Sequence, residues 1–414
     1  MIKKVRTDQL RVGVFIDDLN CSGKIKGRVF INKCVIQSEL AIEIIRAWEI
    51  QEVFIDTEKG LDIQRGEGVI ERRRKTDRIL RQQAINSQPK PAEVPLWEEV
   101  DMARSIKNDA GKIINQAMSA VAENKAIAID QTYGLIEKME RSVSRNRDAL
   151  LLLVRIRKKD EYTLVHSISV GALVLAFCNY CGMPYETTIN MAIGALLHDI
   201  GKTRVPIDIL NKPGKLTPQE LEIIRRHTEY SAEAMTATKD LPFEAFDIAL
   251  HHHERNNGKG YPHQLKGEAI NLAPKIASIC DVYDALTSTR CYKPGMSQVA
   301  ALRMLYESSS DDFDQKLVYK FINMIGVYPV GTCVRLSNDL LGMVVASTEN
   351  NLQPLVRVFF DDRASKGVQI RDVDLAREGV EIASYEFMES WTAEKRDLYR
   401  IVKSQLNPLH QLKT

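Results

Sequence analysis

The chain has 414 residues, 44% hydrophobic and 27% charged, with a formal net charge of +2. That length accommodates two or three domains, one with a sizeable buried core, and the composition is ordinary for a soluble globular protein. Near-neutral charge argues against a chain-wide basic surface for a polyanion such as DNA, so any anion site must be local.

The N-terminal run Met1-Ile-Lys-Lys-Val-Arg6 is not followed by an apolar signal core. No stretch approaches the ~20 apolar residues of a membrane span, which together place the protein in the cytoplasm. Residues 1–64 combine extended runs at Val12–Ile16, Arg28–Ile31 and Val53–Asp56 with a helical pattern at Ala41–Trp48, and read as a small α+β domain. Residues 65–96 read as a linker: a charged run at Glu71–Arg78 leads to prolines at 89, 91 and 95, which forbid a continuous helix. A solvated face is favoured there over a contact with nucleic acid or membrane.

From Trp97 the period becomes helical. Met102, Ile106, Ala110, Ile113, Ala117 and Val121 form one apolar stripe, repeated by Leu135, Met139 and Val143. Such stripes pack on their own chain's core; a homodimer seam is the alternative. Residues 97–327 are mainly helical, with loops at Lys212-Pro-Gly and Asn256–Pro262. Seven cysteines, at 21, 34, 178, 181, 280, 291 and 333, are odd in number and irregular in spacing, which fits a reducing compartment better than a disulfide framework. Cys178-Asn-Tyr-Cys181 closes an apolar helical run without a second pair, so redox or zinc chemistry is the lesser reading. Over 328–414 strands alternate around turns at Asn338-Asp339 and Asn350-Asn351, as a small antiparallel β unit with a last helix near Ala393–Leu406. The fold class is mainly α: an all-helical core with a small α+β domain before it and a β unit after it.

Seven of the eight histidines lie between 166 and 263; the eighth, His410, is a tail residue without a role. His166 lies on an amphipathic helix and His198-Asp199 ends the apolar run from Met191. His227 closes Leu221-Glu-Ile-Ile-Arg-Arg-His, His252-His253-Glu254 precedes the glycine-rich loop, and Asp281 falls in Ile276–Asp284. A lone His-Asp pair is weak, but the ordered series His166 to Asp281 is strong. Imidazoles and carboxylates without thiolates suit Fe, Mn or Zn. Two such ions about 3.5–4 Å apart share a hydroxide and hold both oxygens of an in-line displacement. Phosphate-ester hydrolysis needs that help.

Leu197–Lys202, Val205–Thr217, His252–Pro262 and Asp281–Arg290 with Tyr292 and Lys293 resemble the HD-GYP family of HD-domain phosphohydrolases. The resemblance covers residues 160–330, and the first 64 residues resemble a domain of unknown function that often precedes such modules. It implies a helical catalytic domain that hydrolyses cyclic di-GMP to pGpG and on to GMP, with effects on motility and biofilm. By it, His166, His198, Asp199 and Asp281 hold one metal, and Asp199 bridges to a second held by His227, His252 and His253. Lys202 contacts the scissile phosphate or assists proton transfer. Gly260, Tyr261 and Pro262 shape the substrate loop, and Asp284, Arg290 and Lys293 bind substrate. Where some members carry a third-metal glutamate this chain has Tyr162, which implies two ions, Fe or Mn. Asn257, Thr228 and Ser231 depart from the family's usual Asp, Pro and Gly. His251 is read as a neighbour of the ligands and His263 as solvent-facing. A non-catalytic cyclic di-GMP receptor, or a module that engages GGDEF-domain proteins, is the first alternative. An HD phosphohydrolase for another nucleotide is the second.

Overall fold

The computed structural model describes residues 2–18, 33–36, 42, 45, 52–63, 67–68, 75–82, 92–155, 162–212, 214, 216–288, 295–309, 311–348, 350–386 and 391–406. The chain divides into two compact units, Met1–Ile79 and Leu80–Thr414.

The first unit is built on a five-stranded sheet of order β3-β2-β4-β1-β5. Its strands are β1 (Ile2–Arg6), β2 (Phe15–Asp18), β3 (Cys34–Val35), β4 (Glu52–Asp56) and β5 (Glu67–Gly68). The period-2 pattern of β4 sends Val53 and Ile55 into a small core with Val5, Ile16, Ile42 and Ile45. Ile42 and Ile45 are helical, inside the expected helix; the expected strand Arg28–Ile31 lies outside the described residues. The expected strand Val12–Ile16 begins only at Phe15, after a turn at Val12-Gly13.

Among the described residues from Leu96 onward, twelve α-helices precede a sheet. They are α1 (Leu96–Ala122), α2 (Ile129–Arg145), α3 (Arg147–Arg155), α4 (Tyr162–Tyr180), α5 (Tyr185–Leu197), α6 (Ile207–Leu210), α7 (Pro218–Arg225), α8 (His227–Thr236), α9 (Phe243–His251), α10 (Leu272–Thr287), α11 (Gln298–Ser308) and α12 (Gln315–Ile325). Part of the expected linker is regular structure: residues 75–82 are helical, and Leu80, the first residue of the second unit, is buried in the main core. Two adjacent apolar residues, Ile79 and Leu80, in a charged run give no helical period, which is why the sequence reads as linker. The stripe on α1 buries Ile106, Ala110, Ala117 and Val121 together with Ala103 and Ile114, while Met102 is exposed. Most of the stripe is therefore used within the chain.

Helices α4 and α5 are apolar on nearly every face and run through the centre of the core, so they carry residues of fixed position. Cys178 is fully buried in α4, where burial pushes its thiol up to about 12, as suits a packing residue. Helix α7 starts on a reciprocal cap. Thr217 Oγ1 accepts from the Glu220 N–H, the Glu220 carboxylate accepts from the Thr217 N–H, and Pro218 takes the first helical position.

The last segment forms an antiparallel sheet of order β10-β6-β7-β8-β9, with β6 (Cys333–Leu336), β7 (Leu340–Ala346), β8 (Leu355–Asp361), β9 (Lys366–Asp374) and β10 (Ile382–Tyr385). One face packs Val344, Val356 and Val358 on the helical core. The other packs Met343, Phe359 and Phe360 against Trp391 and against Tyr399 and Val402 of α14 (Ala393–Leu406), a one-turn helix α13 (Leu375–Glu378) intervening. A register shift between Val358 and Phe360 lets both phenylalanines share that second face.

Candidate metal centre

Five imidazoles and two carboxylates meet where α4, α5, α9 and α10 approach the start of α8. His166 is in the second turn of α4, His198 follows the end of α5, His227 opens α8, His252 and His253 follow α9, and Asp281 is within α10. Asp199 lies at the middle. Its Oδ2 is 3.3 Å from His198 Nε2 and 3.7 Å from His166 Nε2; its Oδ1 is 3.3 Å from His227 Nε2 and 4.0 Å from His252 Nε2. Asp281 lies between two rings, with Oδ1 3.1 Å from His166 Nε2 and Oδ2 3.9 Å from His253 Nδ1. Two sets of donors lie within ligand spacing, Asp199 with His227, His252 and His253, and Asp199 with His166 and His198.

Helix ends explain the aim of the rings. Near the end of a helix a carbonyl keeps a lone pair for a side chain, even where, like Ile248 O, it also takes a backbone N–H. Ala195 O, Ile224 O and Ile248 O accept from Nδ1 of His198, His227 and His252 at 2.7, 2.7 and 2.9 Å. A carbonyl only accepts, so each Nδ1 carries the proton and each Nε2 keeps its lone pair facing Asp199. His166 is oriented differently: its Nδ1 is 2.7 Å from Asp284 Oδ2, the outer carboxylate that fixes and strengthens a ligating imidazole. Asp284 also accepts from Ser288 Oγ and is buried. The expectation of Asp284 at the substrate therefore gives way to a place behind His166.

His198 Nε2, His227 Nε2, His252 Nε2 and Asp199 Oδ1 are buried and have no hydrogen-bond partner among the described residues. Four such atoms around one point are costly unless a cation meets them, so the residues fit a metal site. Their electrostatics agree. Burial, with the neighbouring cationic groups, pushes His227 down to about 4 despite Asp199, and pushes His252 and His253 well below the usual imidazole range, so all three are neutral and ready to ligate near pH 7. His166 is the exception: burial opposes its charge, but Asp281 and Asp284 outweigh it and raise the ring to about 9, so an ion bound here would have to displace its proton. Asp199 and Asp281 are held well below the carboxylate range against the cost of burial, the first by His198 and Lys202, the second by His166.

The segment after Asp199 is pinned from α8. Ser231 Oγ accepts the Gly201 N–H at 2.9 Å and donates to His198 O at 2.8 Å, a use for Ser231 that the sequence showed only as a departure. Lys202 Nζ is hydrogen-bonded to Asp199 Oδ2 rather than directed away from the ligands. The loop after α9 is held by Glu254, whose carboxylate accepts from the backbone N–H of His263 at 2.7 Å and Leu265 at 3.0 Å. Sequence reasoning passed over Glu254, although it directly follows two ligands. A side chain at Gly260 would place Cβ 2.4 Å from Glu254 Cα, so only glycine lets the loop lie on the ligand segment. The next bond, Tyr261-Pro262, is cis. The Tyr261 ring stacks 4.7 Å from His253. Asn257 donates to Asp312 Oδ1 at 2.9 Å, which an ionised aspartate at that position would repel instead.

His251 points away from the cluster, to Asp247 at 2.6 Å and His263 at 3.0 Å; His263 is exposed. Arg290 and Lys293 lie outside the described residues.

A family model described as HD domain matches residues 129–317, and one described as Domain of unknown function (DUF3391) matches residues 2–132, well past residue 64 and through α1. Over 402 residues the chain is 34% identical to a cyclic di-GMP phosphodiesterase of Pseudomonas aeruginosa, a match over 96% of this chain and 95% of that protein. The chain belongs to the HD-GYP family. Two further relatives of the HD-GYP part come from Vibrio cholerae. A cyclic di-GMP phosphodiesterase is 34% identical over 215 residues, 48% of this chain and 44% of its own length. A 3'3'-cGAMP-specific phosphodiesterase is 40% identical over 183 residues, 40% of this chain and 35% of its own length. No helix among the described residues is long and apolar enough to cross a membrane.

Proposed function

We propose that this HD-GYP protein is a metal-dependent phosphodiesterase that hydrolyses cyclic di-GMP to pGpG and then GMP. The observation that carries the reading is the ring of buried, unpartnered donor atoms around Asp199. The substrate rests on the Pseudomonas aeruginosa relative, a cyclic di-GMP phosphodiesterase similar over nearly the whole length.

His166, His198, Asp199 and Asp281 would hold one ion, and Asp199 with His227, His252 and His253 the other. Imidazole and carboxylate donors without thiolate suit iron, manganese or zinc, and the family resemblance favours the first two. Bound there, two divalent ions would supply an acidified water and neutralise the phosphoryl oxygens. The chain's own groups do the rest. Asp284 keeps the His166 ring in place, and Ser231 fixes the turn that presents Asp199. Lys202 stands at Asp199 with its remaining donors available to a phosphate oxygen. Tyr261 walls the His253 side, and Arg290 and Lys293 are proposed as further phosphate contacts. In this role the protein acts in bacterial signalling within the cytoplasm, alongside GGDEF-domain cyclases, with a homodimer as the proposed assembly.

Purified protein supplied with Mn²⁺ or Fe²⁺ is expected to release pGpG and GMP from cyclic di-GMP, and to act far more slowly on 3'3'-cGAMP, ppGpp and deoxynucleotides. If chromatography finds neither product under aerobic or anaerobic conditions, the reading is wrong. If 3'3'-cGAMP is the faster substrate, the site stands and its base preference is reassigned.

A further inference from the structure

Four cations near the loop are engaged. Arg204 pairs with Glu233 at 2.8 Å, Lys212 with Glu220 at 2.6 Å and Arg226 with Glu229 at 3.5 Å. Arg255 spends one guanidinium nitrogen on Ser278 Oγ and on the carbonyls of His252 and Glu254. Arg225 is different. It is exposed at the end of α7, two residues before His227, with Cζ 5.1 Å from the centre of the Tyr261 ring. Among the described residues no carboxylate pairs with it, and no acceptor occupies its guanidinium. A guanidinium steadied on an aromatic face keeps its planar fork of donors for a ligand, and the chemistry that fits such a fork is a phosphate or carboxylate.

We propose that Arg225 binds the second phosphate of the cyclic dinucleotide, the one not being cleaved. This rests on the function proposed above. A cyclic dinucleotide carries two phosphodiesters, and when one lies at the Asp199 cluster the other must leave it. The Tyr261 ring is in contact with His253 on the cluster and with Arg225 at the rim, so the arginine is one ring removed from the ligands. Substrate bound in this way is gripped at both phosphates. A diester with a single phosphate does not reach Arg225.

Steady-state kinetics of Arg225→Ala and Arg225→Lys on cyclic di-GMP and on bis(p-nitrophenyl) phosphate test this, with the metal-loaded full chain throughout. Arg225→Ala is expected to raise KM for cyclic di-GMP about tenfold or more, with kcat within about threefold of wild type. Arg225→Lys restores part of the loss, and neither variant changes kcat/KM for the single-phosphate diester. An unchanged KM for cyclic di-GMP overturns the assignment. So does an equal loss on both diesters, which would show that Arg225 only braces Tyr261 and His253. Should wild-type protein cleave the single-phosphate diester but not cyclic di-GMP, the proposed function fails and the assignment fails with it.

Discussion

Asp199→Ala is expected to lower kcat/KM for cyclic di-GMP by at least about 10³-fold, roughly 4 kcal/mol of transition-state stabilisation. The same change should strip bound metal from both halves of the cluster. The reason is geometric: Asp199 faces His166 and His198 through one oxygen and His227 and His252 through the other, and among the described residues it alone belongs to both sets of ligand-spaced donors, Asp281 reaching the second set only at 3.9 Å from His253. Four imidazoles would also lose the one carboxylate common to them all. Asp199→Asn is the sharper comparison, because it keeps the shape and removes the charge; it should lose nearly as much activity. Elemental analysis and turnover are read on the same preparation, with circular dichroism as the check on folding. Retention of both ions and most of the activity in either variant contradicts the bridging position.

Gly201→Ala is expected to cost about 10²-fold in turnover, together with about 1–3 kcal/mol of stability. A Cβ at residue 201 would stand 2.2 Å from His227 O and 2.5 Å from Ser231 N. Both are backbone atoms of α8 and neither can swing aside. Relief requires moving the start of α8, which carries His227, away from the turn that carries Asp199. A displacement of about 1 Å between catalytic groups suffices for a loss of that order. Ser231→Ala is the milder partner. It leaves the space intact but unpairs the Gly201 N–H and the His198 carbonyl, costing about 1–3 kcal/mol with less effect on turnover. Thermal denaturation and steady-state kinetics separate the two. Equal activity in Gly201→Ala and wild type would show that α8 yields without disturbing His227.

The cluster was legible in the sequence because His166, His198, Asp199, His227, His252, His253 and Asp281 are of ligand-forming types crowded into one helical segment. Residues that act on the ligands rather than as ligands were not. Asp284 is three residues after Asp281 on α10, but that it turns to His166 depends on how α4 crosses that helix. Ser231 looked like a loss of family glycine, and only the fold shows its hydroxyl between Gly201 and His198. Asn257 likewise looked like an exception until Asp312 was found opposite it. In the β unit the apolar alternation revealed β6, β7 and β8, and the end helix Ala393–Leu406 was also found. The long strand β9 was missed, since as an edge strand it buries little besides Val373 and so lacks a hydrophobic pattern.

The most direct test of the central claim is the ion count per chain in protein prepared without oxygen, followed as metal is withdrawn and restored. Two ions per chain are predicted, iron or manganese, with hydrolysis of cyclic di-GMP rising and falling with their occupancy. Full-rate hydrolysis by protein that holds no ion would contradict the account.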